Sequence, residues 1–224
     1  MCPRNDEPFI VVIPARYESS RLPGKPLAEI AGRPMVMHVY DRARRSGAQR
    51  VLLATDDERI ADAAAALGAE VVMTDAEHAS GTDRIAEDAQ RLELPDTRIV
   101  VNVQGDEPLI PAELIAQVAR LLATHAQADV ATLTTPLRSG ESPSDPNVVK
   151  VVTDRSGMAL YFSRAAIPYS RDGDRGIALQ RHVGIYAYRV AALQRLAAAP
   201  VCALESAEKL EQLRCLWLGM RIAV

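Results

Sequence analysis

Cysteine is scarce in this chain. Its 224 residues hold three, Cys2, Cys202 and Cys215. The number is odd and no pair has C-x-x-C spacing, so a disulfide framework and a structural zinc site are both disfavoured. Long apolar runs are lacking too: no stretch reaches the ~18 residues that a membrane span requires. The segment Met1 to Pro8 carries Arg4, Asp6 and Glu7 around no apolar core, unlike a secretory leader. Together these absences predict a cytoplasmic protein in a reducing compartment, with no membrane partner. An excess of positive charge is also missing. The net charge is −3, which argues against nucleic acid as a partner. Internal repeats and low-complexity tracts are not visible.

What is there suits a globular enzyme-sized unit. Hydrophobic residues make up 48% and charged residues 25%, ordinary proportions for a packed domain. A chain of this length buries roughly 70% of its unfolded surface without staples. The charge is unevenly placed: residues 1–50 hold nine Lys and Arg against five Asp and Glu. A basic first quarter in an acidic protein suggests a local anion site.

Short apolar runs alternate with helical patterns through the first half. Strands are predicted at Phe9–Ile13, Val51–Ala54, Glu70–Met73, Ile99–Val103 and Val130–Thr135. Helices are predicted at Pro34–Arg45, Asp57–Leu67, Thr82–Leu92 and Pro111–Ala123. Continuous apolar strands between helices imply a mostly parallel sheet covered on both faces, with ligands at the carboxyl ends of its strands. The fold class expected is α/β, a three-layer, Rossmann-like sheet with a smaller mixed-sheet lobe. The second half reads differently, with strands at Val148–Thr153, Ala159–Ser163 and His182–Tyr188 and a helix over Leu204–Leu216. The Pro-containing stretch Ser139–Asn147 is the expected linker. A single domain over residues 1–224 is expected, its parts meeting between residues 138 and 148.

The first strand runs into Pro14-Ala15-Arg16-Tyr17-Glu18-Ser19-Ser20-Arg21-Leu22-Pro23-Gly24-Lys25-Pro26. This is neither G-x-G-x-x-G nor G-x-x-x-x-G-K-[ST]. Pro23, Gly24 and Pro26 forbid a continuing helix. Arg16, Arg21 and Lys25 therefore share one irregular loop at the end of a central strand, where guanidinium forks could grip a triphosphate. Asp106 follows the strand at 99–103 through Gln104-Gly105. Its carboxylate faces the same crevice and could hold Mg²⁺ together with phosphate oxygens; capping a turn before Pro108 is the plain alternative. Ser80 or Thr82 could cap the helix that follows. Gln104 both donates and accepts, as a cytosine edge requires.

The segment I-P-A-R-Y-E-S-S-R-L-P-G-K-P resembles the signature of the 3-deoxy-manno-octulosonate (Kdo) cytidylyltransferases. The resemblance continues at Ala54-Thr55-Asp56, at His78-Ala79-Ser80-Gly81-Thr82-Asp83-Arg84 and at Val101-Asn102-Val103-Gln104-Gly105-Asp106-Glu107-Pro108. It resumes at Leu160-Tyr161-Phe162-Ser163-Arg164, Arg181-His182-Val183-Gly184-Ile185-Tyr186 and Leu210-Glu211-Gln212-Leu213-Arg214. Each piece alone is weak; the ordered set, spread over residues 9–224, is specific.

The resemblance implies a nucleotidyltransferase-like fold, CTP and Kdo as substrates, a Mg²⁺ cofactor, a homodimer and a place in lipopolysaccharide biosynthesis. It implies that Arg16, Arg21, Lys25 and Asp106 are catalytic and that Asp106 ligates the metal. It implies nucleotide contacts from Ala15, Arg16, Arg21, Lys25, Ser80, Arg84 and Gln104, and sugar contacts from Arg164, His182, Tyr186, Glu211 and Gln212. In that family a second acidic metal ligand lies in a segment beyond the position of Val224. Period 2 puts His182, Gly184, Tyr186 and Tyr188 on one strand face. Leu210, Leu213 and Trp217 form a core stripe on the last helix, with Glu208, Glu211 and Gln212 off it. His38 and His125 read as structural, and His78 is open. Two other functions share parts of the pattern: a CMP-sialate synthetase and a nucleotide-binding module without catalysis. R-L-P-G-K-P combined with R-H-V-G-I-Y favours the eight-carbon acid, and Asp106 with the cations favours catalysis.

Overall fold

The computed structural model describes residues 8–18, 22–78, 80–138, 140–171 and 178–224. The strands are β1 (Phe9–Ala15), β2 (Glu29–Ile30), β3 (Arg33–Pro34), β4 (Arg50–Thr55), β5 (Glu70–Met73), β6 (Ile99–Asn102), β7 (Val130–Pro136), β8 (Lys150–Thr153), β9 (Ala159–Ser163), β10 (Gln180–Arg189) and β11 (Ile222–Ala223). The helices are α1 (Met35–Arg44), α2 (Glu58–Ala66), α3 (Gly81–Arg91), α4 (Ala112–Thr124), α5 (Val190–Ala198), α6 (Ala203–Glu208) and α7 (Gln212–Trp217). The order across the main sheet is β11-β7-β10-β6-β1-β4-β5, with β8 and β9 joined at its side through β10. Neighbouring strands from β6 to β5 are parallel, while β10 runs antiparallel to both β6 and β7.

Every residue of β1 is buried, as a strand covered on both faces must be. Alternate side chains enter two cores. Val11 and Ile13 join residues of α1, α2 and α4 on one face. Ile10 and Val12 join residues of α3, α5 and α7 on the other. Three layers result, as the alternation of strands and helices predicts.

The last expected helix is two. Lys209 adopts a left-handed conformation, φ 52°, and its amide closes α6 on the Glu205 carbonyl at 2.7 Å. The chain then restarts as α7. Leu210 and Leu213 are buried as expected, but Trp217, the final residue of α7, is 58% exposed. The six-residue helix ends before the apolar stripe can repeat. Gln212, expected off the stripe, is buried instead. Helix α5 lies in a stretch for which the sequence suggests no element. It packs Val190, Leu193 and Leu196 into the second core.

Two buried charges stand out. Asp88 on α3 is fully buried, and neither carboxyl oxygen has a hydrogen-bond partner among the described residues. Lys150 is also fully buried. Its three ammonium hydrogens meet the carbonyls of Asp145 (3.0 Å), Val148 (2.5 Å) and Arg164 (2.5 Å). Burial lowers the Lys150 pKa, against the opposing pull of Asp145 and Glu208.

Candidate active site

The parallel register brings the ends of β1 and β6 together. Val12 lies opposite Asn102, so the chain leaves both strands on the same edge of the sheet. Gly105 makes the close approach possible. A Cβ there would stand 3.0 Å from the Pro14 carbonyl oxygen, tight enough that the backbone would have to give. Gly81 at the start of α3 is under the same pressure, since its Cβ would sit 3.1 Å from Pro14 Cγ. Pro14 is thus the point on which the cationic loop, the Gln104–Asp106 turn and the α3 N-terminus converge. A cavity of about 260 Å³ opens between them. Ala15, Arg16, Lys25, Ser80, Arg84, Gln104 and Asp106 all line it. Every described residue that the resemblance implies for the nucleotide therefore faces one space. Arg21 lies outside the described residues.

The cationic loop is shaped by its own backbone. Gly24 is left-handed, φ 71°, and its amide bonds back to the Tyr17 carbonyl at 2.8 Å. The Tyr17 ring lies 3.1 Å from where a Cβ of residue 24 would be, and the Arg59 guanidinium stacks on it 3.3 Å from the centroid. Lys25 then opens a short 3₁₀ turn. Its ammonium sits 2.7 Å from an Asp106 carboxylate oxygen. Both side chains are substantially exposed, so this pair adds at most about 1 kcal/mol to stability. Its importance is positional: a movable cation rests on the carboxylate.

The opposite wall is more firmly built. Ser80 caps α3, its Oγ accepting from the Asp83 amide at 3.2 Å while Asp83 accepts from the Ser80 amide at 3.0 Å. The capping expectation holds for Ser80. Arg84 is buried; it donates to Asp56 Oδ2 at 3.0 Å, to the Asp75 carbonyl at 3.3 Å and to Thr74 Oγ1. Its charge is neutralised within the wall. His78, open on the sequence, lines the cavity. Its Nε2 lies 2.6 Å from Glu87, which also accepts from the Asp75 amide and pairs with Arg91. Burial opposes ionisation of Glu87, but these contacts outweigh it and hold its pKa below the ordinary value. The spacing of nine between His78 and Glu87, across the start of one helix, is the signal that could have linked them.

The residues implied for the sugar lie on the α3, α5 and α7 side of the sheet. Antiparallel pairing of Tyr186 with Asn102 carries the earlier part of β10 past the end of β6, toward the cavity edge. The His182 ring stands 5.4 Å from Tyr186 and 5.2 Å from Phe162. Glu211 ties this side to the cavity wall, accepting from Thr82 Oγ1 at 2.5 Å. Burial raises the Glu211 pKa, against that bond and the nearby Arg214. Gln212 is only 6% exposed, and its Nε2 has no partner among the described residues.

Arg164, implied as a sugar contact, is engaged with main-chain carbonyls. It donates through Nε to the Glu208 carbonyl (2.6 Å), through Nη1 to the Pro146 carbonyl (2.7 Å) and through Nη2 to the Lys209 carbonyl (3.4 Å). The guanidinium caps the end of α6, because an αL break at Lys209 leaves the Glu208 and Lys209 carbonyls without helical partners. No spacing argument could have foreseen that break. The two cysteines among the described residues supply no nucleophile: Cys202 and Cys215 are free and buried, and burial pushes the Cys215 thiol up to about 12.

A divalent ion would find one carboxylate among the described residues lining the cavity, that of Asp106. Among the described residues no three His, Cys, Asp or Glu side chains are grouped as a metal cage. This donor set fits Mg²⁺, which commonly uses one or two carboxylates and completes its shell with phosphate and water oxygens.

Comparison with known proteins identifies the family. A 3-deoxy-manno-octulosonate cytidylyltransferase of Hahella chejuensis is 56% identical over 96% of this chain and 88% of its own length. That of Thioalkalivibrio sulfidiphilus is 54% identical with the same coverage. A solved structure of CMP:2-keto-3-deoxy-manno-octonic acid synthetase complexed with CTP superposes with a TM-score of 0.89 at 43% identity, covering 96% of this chain and 88% of the other. A 4-diphosphocytidyl-2C-methyl-D-erythritol synthase, 15% identical with a TM-score of 0.62, shares the fold. The cytidylyltransferase family model matches residues 10–222, and with relatives this similar over nearly its whole length the chain belongs to the cytidylyltransferase family.

Proposed function

We propose that this protein is a 3-deoxy-manno-octulosonate cytidylyltransferase, converting CTP and Kdo to CMP-Kdo and pyrophosphate in the supply of lipopolysaccharide precursors. The observation that carries the reading is a single cavity at the carboxyl ends of β1 and β6, lined by Arg16, Lys25 and Asp106 and facing Ser80, Arg84 and Gln104. It occurs in a chain more than half identical to enzymes of that name. The phosphates belong at the Arg16 and Lys25 end and the base by the α3 N-terminus. The anomeric hydroxyl of the sugar attacks the α-phosphorus and gives up its proton, the bridge to the β-phosphate breaks, and pyrophosphate leaves with that electron pair and takes up the proton.

Such transfer depends on positioning and charge neutralisation rather than on a covalent enzyme intermediate. Lys25 exchanges Asp106 for phosphate oxygens, and Arg16 and Arg21 add their charge to the departing pyrophosphate. Mg²⁺ held by Asp106 would supply further neutralisation of phosphate charge. On the acceptor side, His182, Tyr186, Glu211 and Gln212 hold the sugar. The unpaired Gln212 amide supports this, because a buried donor without a partner is costly unless a ligand completes it. Arg164 contributes chiefly by holding the α6 end against β9, with its remaining hydrogen-bonding capacity turned to the acceptor. The protein acts as a homodimer in the cytoplasm.

The test is pyrophosphate release with CTP and Mg²⁺ against Kdo, a sialic acid and a neutral hexose, with the nucleotide sugar identified by mass. Release with Kdo alone is expected. Equal or faster turnover of the sialic acid would refute the assignment.

A further inference from the structure

Strand β10 is irregular where it passes β7. Val183 pairs with Leu133 and Tyr186 with Thr132, so Gly184 and Ile185 have no counterparts on β7. Two extra residues preserve the alternation of faces, which is why His182 and Tyr186 remain on the same side. The bulge also turns carbonyls away from the ladder. The hydroxyl of Thr132, a fully buried residue, fills the gap. Its Oγ1 lies 2.7 Å from the Ile185 carbonyl oxygen, 3.2 Å from that of Val183 and 2.9 Å from His182 Nε2.

Counting hydrogens settles the roles. A threonine hydroxyl has one hydrogen to donate and two lone pairs. Carbonyl oxygens can only accept, so the hydrogen is used on the bulge, with Ile185 the shorter contact. Toward His182 the hydroxyl can then only accept, and Nε2 must carry the proton. Burial drives the His182 pKa down to about 4. At neutral pH the ring has one proton, and the other nitrogen, Nδ1, bears a lone pair. The ring is kept in place by the edge-on contact with Phe162 and by Tyr186.

We propose that Thr132 is a positioning residue that locks His182 as the Nε2–H tautomer, making Nδ1 an obligate hydrogen-bond acceptor for a hydroxyl of the acceptor sugar. This deepens the sugar-side assignment made above and rests on it. Chemically it separates His182 from the acceptor's carboxylate, which has no hydrogen to offer a lone pair. The carboxylate must be met by donors elsewhere. A threonine inside a strand, with no charge and no exposure, gives no hint of this role in the sequence.

The experiment uses the full chain labelled with ¹⁵N-histidine. Long-range ¹H–¹⁵N spectra report which ring nitrogen is protonated, and His182→Gln identifies the resonances. Wild type at pH 7 is expected to show protonated Nε2 and bare Nδ1, and saturating Kdo is expected to shift Nδ1. Thr132→Val is expected to give a mixture of tautomers and a roughly two- to tenfold higher KM for Kdo, the share of one neutral hydrogen bond, with the KM for CTP unchanged. Thr132→Ser is expected to restore both. A protonated Nδ1 in the wild type overturns the proposal, and that measurement stands even if Thr132→Val fails to fold. So does a pure Nε2–H ring in a folded Thr132→Val. If Kdo is turned over while Nδ1 does not respond to it, the proposal fails and the activity stands. If the tautomer is as expected but Kdo neither binds nor reacts, the activity assignment fails and takes the sugar contact with it.

Discussion

Asp88 should make the wild-type protein less stable at neutral pH than it needs to be. Its side chain is fully buried on α3 with both oxygens unpartnered among the described residues. Burial first, then the charge of Glu87, raises its pKa from 3.8 to about 7, while Arg91 and Arg84 pull weakly the other way. The unfolded chain loses this proton near pH 4, whereas the folded chain keeps it until about pH 7. Between those values the folded state binds one more proton, so stability falls as pH rises. The loss begins near pH 4 and is complete above about pH 7. At 1.36 kcal/mol per pH unit the displacement is worth roughly 4 kcal/mol, a large part of a domain's stability. Asp88→Asn keeps the shape and cannot ionise. Urea unfolding of both proteins at pH 5, 6, 7 and 8 measures the effect. The variant should gain about 1.5 kcal/mol at pH 5 and about 4 kcal/mol at pH 8. A difference that does not change with pH, or a variant weaker than wild type at pH 8, would refute the reasoning.

Three further outcomes follow from the site and its supports. Lys25→Met should cut turnover by about 10²–10³, the usual cost of one preorganised charge-stabilising group, and leave the melting temperature nearly unchanged because its partner Asp106 is exposed; steady-state rates and a thermal melt check both. Asp106→Asn should likewise keep the fold but abolish Mg²⁺-dependent pyrophosphate release, and wild-type turnover at low millimolar Mg²⁺ would remove it from the site. Lys150→Met removes the ammonium from the carbonyls of Val148 and Arg164, while that of Asp145 keeps the Val148 amide, and should cost about 2–4 kcal/mol, lowering Tm by roughly 4–16 °C for a domain of this size; a drop under about 2 °C would show that those carbonyls find other partners.

Much of the architecture was legible because apolar runs and helical patterns alternate so regularly in residues 9–135. The cavity was legible for a different reason. Its residues are clustered in sequence at 15–25, 78–84 and 104–106, and a parallel sheet delivers all three clusters to one edge. What was hidden depends on contacts between distant segments. The Lys209 break follows from packing that no local propensity encodes. Arg164 meets its three carbonyl partners, from residues 146, 208 and 209, only through the fold. Lys150, which no motif singles out, is internal. Trp217 reads as core by spacing, yet its helix stops there.

The placement of β10 has a consequence for how the chain reaches this state. β6 and β7 are close in sequence but do not touch as neighbours; the strand between them arrives some eighty residues after β6. Until residues 180–189 are available, β7 has no partner from the earlier chain and β6 presents an open edge. Loop-closure entropy must be met before that pairing can form, which slows acquisition of the sheet. During synthesis the first 140 residues would emerge with an exposed, apolar strand edge, the kind of surface that invites misassociation. The cavity residues near Asn102 acquire their final framework only when Tyr186 docks opposite it, so cytidylyl transfer competence is a late event, coincident with closure of the sheet. Ribosome-stalled chains ending before and after residue 190, probed by brief proteolysis, should differ in protection of β6 and β7 as far back as residue 99.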